Sequence, residues 1–131
     1  MVEMDSEEFA ALVREIYERE IPAKFKDALE NIALTIEDEP TGRAARDGRT
    51  LLGLYEGVPK IAPFSVFHGV QPSKITLYQK NILHYARDRR DLEALIQEVL
   101  MHEIAHYFGY GERDMIHMDA RLRRKLGRGE D

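Results

Sequence analysis

The residues of this chain best suited to chemistry are His102-Glu103-Ile104-Ala105-His106, an H-E-x-x-H run. Two histidines four positions apart on a helix share one face, about 6 Å from each other, so both imidazoles can reach one tetrahedral ion at about 2.0 to 2.1 Å. Glu103 projects between them. It can take a proton from a water held by the ion without being a ligand itself, which is the general-base position in metal-assisted hydrolysis.

A third ligand should follow shortly. A helix ending at Gly109, with that glycine left-handed, can swing the next residues back toward the two histidines, and Gly111 helps the turn. Glu112, ten residues after His102, is the first choice; Asp114 is the second and His117 the third. Asp114 also reads as an N-cap, because it precedes Met115-Ile116 at the start of a terminal amphipathic segment. The fourth position is left to water, whose pKa a catalytic zinc lowers to about 7. Tyr110, Arg113 and His117 are the candidates to stabilise an oxyanion beside the metal.

The motif needs a helix to hold it. Leu92, Leu95, Ile96 and Val99 form a stripe that His102, Glu103 and His106 prolong, so a long helix from Asp91 to Phe108 aims two imidazoles and a carboxylate toward the core. Unpaired charge there costs several kcal/mol, and a bound metal would satisfy all three groups.

Upstream, Asp5 and Glu8 make a capping-box pair for a first helix, Met4 can staple onto Phe9, and the apolar stripe is Phe9, Leu12, Val13, Ile16 and Tyr17. Pro22 suits the first position of a short second helix carrying Phe25, Ala28 and Leu29, which Asn31 ends. From Ile32 the period changes to two, predicting a half-buried strand with Ile32, Leu34 and Ile36 on one face. Leu51 to Tyr55 reads as a second strand. Gly57 to Ser73 reads as mostly irregular, with Phe64 to Phe67 able to extend. Ile75 to Tyr78 alternates as a further strand, and a short helix from Asn81 to Arg87 precedes the long one; a terminal helix spans Asp114 to Leu126.

Composition narrows the partners. The chain has 131 residues, a size that fits residues 1–131 into a single domain, and it has no cysteine, so any metal site must use His, Asp or Glu. Its 19 Lys plus Arg against 24 Asp plus Glu give a net charge of −5, which argues against nucleic acid as a partner. No apolar run is long enough for a membrane span, and the acidic start MVEMDSEEF is unlike a signal peptide, so a soluble cytoplasmic protein is expected. His68 and His84 lack partners at ligand spacing and read as structural. The basic residues Arg121, Arg123, Arg124, Lys125 and Arg128 read as the solvated face of a docked helix, and Glu37-Asp38-Glu39 as a solvated strand end.

The stretch from His102 to Glu112 resembles the extended zincin motif H-E-x-x-H-x-x-G-x-x-H/D, with an acidic residue where metzincins have the third histidine. Over most of its length the chain also resembles the small bacterial zincin-like metallopeptidases sometimes called minimal gluzincins. The supporting stretches are Ile36-Glu37-Asp38-Glu39-Pro40, Leu52-Gly53-Leu54-Tyr55-Glu56-Gly57-Val58-Pro59 and Ile75-Thr76-Leu77-Tyr78. The resemblance implies an α+β zincin-like core: a small mixed sheet packed on the active-site helix, with N-terminal helices and a short C-terminal helix. It further implies Zn2+ held by His102, His106 and an acidic residue such as Glu112, with Glu103 as catalytic base. In zincins the substrate lies along an edge strand by strand addition, and Ile75 to Tyr78 is the candidate edge.

The expectation is a zinc-dependent metallopeptidase-like hydrolase acting on a peptide or protein. The motif lies close to the end of the sequence, and this motivates an alternative: a non-catalytic zinc-binding or protein-interaction module that retains the zincin core.

Overall fold

A computed structural model describes residues 2–30, 32–45, 50–57 and 73–109. The first helix, α1 (Ser6–Glu20), starts where Asp5 accepts the backbone N–H of Glu8 at 2.8 Å, and it buries Phe9, Leu12, Val13 and Ile16. It stops at Ile21, which is extended (φ −84°, ψ 122°) as the residue before a proline must be. Pro22 stands one position outside α2 (Ala23–Ala28), capping it rather than opening it. Phe25 and Leu29 from this segment join a small apolar cluster with Ile21, Ile75 and Ile104.

Three strands form the sheet: β1 (Ala33–Glu37), β2 (Gly53–Glu56) and β3 (Lys74–Tyr78), in the order β1-β3-β2. β1 runs parallel to β3, with Ile36 opposite Leu77, and β2 runs antiparallel to β3, with Gly53 opposite Leu77. Ile75 to Tyr78 is therefore the central strand and not the edge expected from its position before the helices. Its burial explains why: Ile75, Thr76, Leu77 and Tyr78 are all buried, so both faces and both hydrogen-bonding edges are covered. Among the described residues, β2 is the edge strand nearest the long helix.

The first strand departs from simple alternation. Ile36 packs on the main core, but Leu34 is 38% exposed at the sheet's other edge. It lines an open apolar pocket of about 230 Å³ together with Tyr17, Leu29, Ile32, Ile75 and Ile104.

β3 passes straight into α3 (Gln79–Tyr85), two residues earlier than its apolar pattern suggests, because Tyr78 serves both as the last strand residue and as the helix N-cap. Asn81 on this helix donates to the Leu51 carbonyl at 2.8 Å and Tyr78 N–H to the Leu52 carbonyl at 3.0 Å, pinning the start of β2. α4 (Arg89–Tyr107) then opens at Asp88, whose carboxylate accepts Asp91 N–H at 2.8 Å while Asp91 accepts Arg87 N–H at 2.8 Å.

α4 is the spine of the fold. It packs on α1, α3, β2 and β3, burying Leu92, Leu95, Ile96, Val99 and Leu100 in one cluster with Phe9, Ile16, Leu77 and Ile82. Across the outer surface Arg19 of α1 pairs with Glu93 of α4 at 3.2 Å. The helix, the mixed sheet and the N-terminal helices make the α+β architecture expected. No helix among the described residues is long and apolar enough to cross a membrane. Most of the stretch between Gly57 and Ser73, and the terminal helix expected at Asp114 to Leu126, lie outside the described residues.

Candidate metal centre

The last two turns of α4 carry His102, Glu103 and His106. Val99 and Glu103 lie on the flank that meets Gly53 of β2, and both histidines are half-buried. Glu103 is only 7% exposed, and a carboxylate so withdrawn from water is costly unless something in the site compensates it.

The Nε2 atoms of His102 and His106 are 3.2 Å apart, with ring centroids at 4.8 Å. Two nitrogens each about 2.05 Å from one tetrahedral zinc would be separated by about 3.3 Å. The spacing of the pair therefore matches that of two ligands on one ion. Glu103 Oε2 lies 3.9 Å from His102 Nε2, too far for a direct hydrogen bond and suited to a bridging water. Ligand atoms of all three residues fall within 4.8 Å of one another, the group that could hold a metal among the described residues.

The helix end supports the site from below. Gly109 has φ 90° and donates its N–H to the His106 carbonyl at 2.9 Å, so the chain turns sharply three residues after the second histidine. This is the left-handed glycine expected from the sequence. Tyr107 packs edge-on to Tyr55 of β2 at 5.9 Å, and Phe108 to Phe25 at 5.4 Å, which anchors the end of α4 against the strand and α2. Tyr55 also hydrogen-bonds Ser73 through its hydroxyl at 3.0 Å.

Tyr78 adds a buried phenol near the same carboxylate. Burial first, then the charges of Glu37, Glu56 and Glu103, push its pKa above the ordinary 10.0, so it stays a neutral hydroxyl.

The structure thus brings together His102, Glu103 and His106. The third-ligand candidates Glu112, Asp114 and His117, and the oxyanion candidates Tyr110 and Arg113, lie outside the described residues, as does His68. His84 is exposed on α3, edge-on to Tyr85 at 5.0 Å. Of the acidic strand end, Glu39 is paired with Lys80 at 2.8 Å and the Asp38 carbonyl accepts Lys80 N–H at 3.1 Å.

One residue at the site escaped the sequence reading. Gly53, the first residue of β2, is buried against α4, and a Cβ there would stand 2.7 Å from Val99 Cγ1 and 3.2 Å from Glu103 Cγ. A glycine inside an apolar strand pattern is the signal that could have found it, since such a glycine marks close approach of another element.

No curated protein matches the chain. A solved structure of a conserved hypothetical protein from Thermus thermophilus is similar at 27% identity and a TM-score of 0.52, covering 95% of this chain and 99% of that one. The family model for zincin-like metallopeptidases matches residues 29–122, a span that contains all three strands, α4 and the H-E-x-x-H motif. The chain belongs to the zincin-like metallopeptidase family.

Proposed function

We propose that the protein is a zinc-dependent hydrolase of peptide bonds, acting on a cytoplasmic peptide or protein. The observation that carries this reading is the 3.2 Å Nε2 pair of His102 and His106 with the Glu103 carboxylate 3.9 Å from it. His102 and His106 would hold the ion, with Glu112 as the preferred third ligand and Asp114 or His117 as the alternatives. Bound zinc would supply Lewis acidity toward a carbonyl and lower the pKa of water to about 7.

The protein's own residues do the rest. Glu103 accepts the proton of the attacking water and returns it to the departing amine. Its burial against β2 keeps bulk water from competing for the carboxylate. β2, antiparallel to β3 and packed on α4, is an edge strand among the described residues, along which an extended peptide can add as a further strand. A peptide added there would lie beside the strand that packs on the Glu103 flank of α4.

The test compares wild type with Glu103→Gln. Both should hold one zinc per chain by elemental analysis, while the variant should lose about 10²- to 10⁴-fold in turnover against a peptide library. Full activity in Glu103→Gln overturns the catalytic role. A wild-type protein that binds zinc yet cleaves nothing in the library would favour a zinc-binding or interaction module on the same core.

A further inference from the structure

We propose that Gly53 is a positioning residue for Glu103, an inference that rests on the reading of Glu103 as base. The missing side chain at the start of β2 sets how closely the edge strand approaches α4, and so where the Glu103 carboxylate stands relative to a peptide on that edge.

The backbone does not require glycine at this position. The left-handed glycines among the described residues are Gly42, Gly57 and Gly109, whereas Gly53 is an ordinary strand residue paired with Leu77. Glycine has no side chain to pack and is poorly suited to a strand, so its presence at the buried start of β2 is explained by space. A Cβ at Gly53 would meet Val99 Cγ1 at 2.7 Å, Glu103 Cγ at 3.2 Å and the Thr76 carbonyl oxygen at 3.3 Å. Val99 cannot give way cheaply, because a β-branched side chain in a helix is confined to one rotamer. The Thr76 oxygen is main chain of the central strand and equally fixed. Glu103, on a flexible stem, is the contact that yields.

Any side chain at this position therefore forces one of two movements. Either α4 backs away from β2 and carries Glu103 with it, or, where the Val99 contact is removed, the Glu103 stem swings out of its present rotamer. His102 and His106 are on the same helix and move together, so the pair that would hold the ion keeps its own geometry in both cases. What changes is the carboxylate relative to the substrate edge. Gly53 thus separates metal binding from proton transfer: it governs the second and leaves the first intact.

Two variants and one spectroscopic readout test this. Gly53→Ala probes the site directly, and Gly53→Ala/Val99→Ala removes the hard Val99 contact while leaving the Cβ against Glu103. Side-chain couplings of Glu103 by NMR, in the metal-free protein, report its rotamer independently of any reaction. In the wild type, an NOE between the Gly53 α protons and the Glu103 γ protons is expected, and its absence overturns the proposal even if neither variant folds. In the double variant, recovery of the melting temperature to that of Val99→Ala alone, with altered Glu103 couplings, is expected. Recovery with unchanged couplings overturns the proposal and leaves Gly53 a purely steric filler.

Turnover supplies the functional side. Zinc stoichiometry should match wild type in the double variant, and kcat should fall about tenfold to hundredfold with KM little changed, the cost of a small misplacement of a reacting group. Restored kcat in the double variant overturns the proposal. If wild type itself holds no zinc or cleaves no peptide, the proposed function fails, and the couplings still decide whether Gly53 sets the Glu103 rotamer.

Discussion

His102 and His106 present their Nε2 atoms to each other at 3.2 Å from adjacent turns of α4, while the peptide of Gly109 hydrogen-bonds back to His106 and closes the helix just below them. The spacing is that of two ligands on one tetrahedral ion, and it is built wholly from a single helix. Either histidine alone would leave an ion with half of this preformed pair.

Metal binding should therefore depend on both. His102→Ala and His106→Ala are each expected to lose zinc to below stoichiometric levels on purification, with affinity reduced by at least about 10²-fold, beyond the loss that changes behind the ligands produce. Elemental analysis beside a competitive chelator titration measures it. A variant that keeps stoichiometric, tight zinc would show that the pair is not the centre.

Gly109 is expected to matter for stability. At φ 90° a β-carbon meets the backbone, so Gly109→Ala should cost about 1–2 kcal/mol in denaturant unfolding, where Gly42→Ala, also left-handed, reports the same penalty away from the site. Because Gly109 also directs the chain that follows His106, its variant should lose zinc affinity as well, and Gly42→Ala should not.

The start of α4 offers a separate handle on the spine. Asp88 accepts Asp91 N–H at 2.8 Å, so Asp88→Ala should destabilise the protein by about 1 kcal/mol, with Asp88→Asn or Asp88→Ser recovering most of it. Equilibrium unfolding of the three variants tests this. Equal loss in all three would remove capping as the cause.

Alkaline pH should destabilise the protein through one buried phenol, Tyr78, and two half-buried ones, Tyr17 and Tyr55. The pKa values of Tyr17, Tyr55 and Tyr78 are all raised above 10.0, burial being the first cause in each, followed by Glu18 for Tyr17 and by Glu37, Glu56 and Glu103 for Tyr78. At Tyr55 the Ser73 hydrogen bond pulls the other way. A raised folded-state value means the native protein holds protons that the unfolded chain releases. The stabilisation is complete below the unfolded phenol value near 10 and is lost as pH rises through the higher native values. Melting temperature should hold below that pH and fall above it, and Tyr78→Phe should remove one phenol from the late part of the tyrosinate absorbance titration. A titration in which Tyr78 ionises at or below the ordinary value would contradict the burial argument.

The features legible along the chain before any folding are the local ones. Helix α4, observed from Arg89 rather than the expected Asp91, and the convergence of His102, Glu103 and His106 follow from helical periodicity, because residues four apart meet whatever else the chain does, and the turn at Gly109 follows from glycine's left-handed freedom. The capped first helix and the stripe of Phe9, Leu12, Val13 and Ile16 follow for the same reason. Sheet order is different. Ile75 to Tyr78 and Leu51 to Tyr55 look alike as short apolar runs, and only the pairing of β1 on one side and β2 on the other makes the former central and the latter the edge. The exposure of Leu34 is likewise decided by packing, since among the described residues β1 pairs only with β3. The closeness of Gly53 to Glu103 spans fifty positions of sequence and depends on the packing distance between a strand and a helix, a quantity that no local pattern encodes.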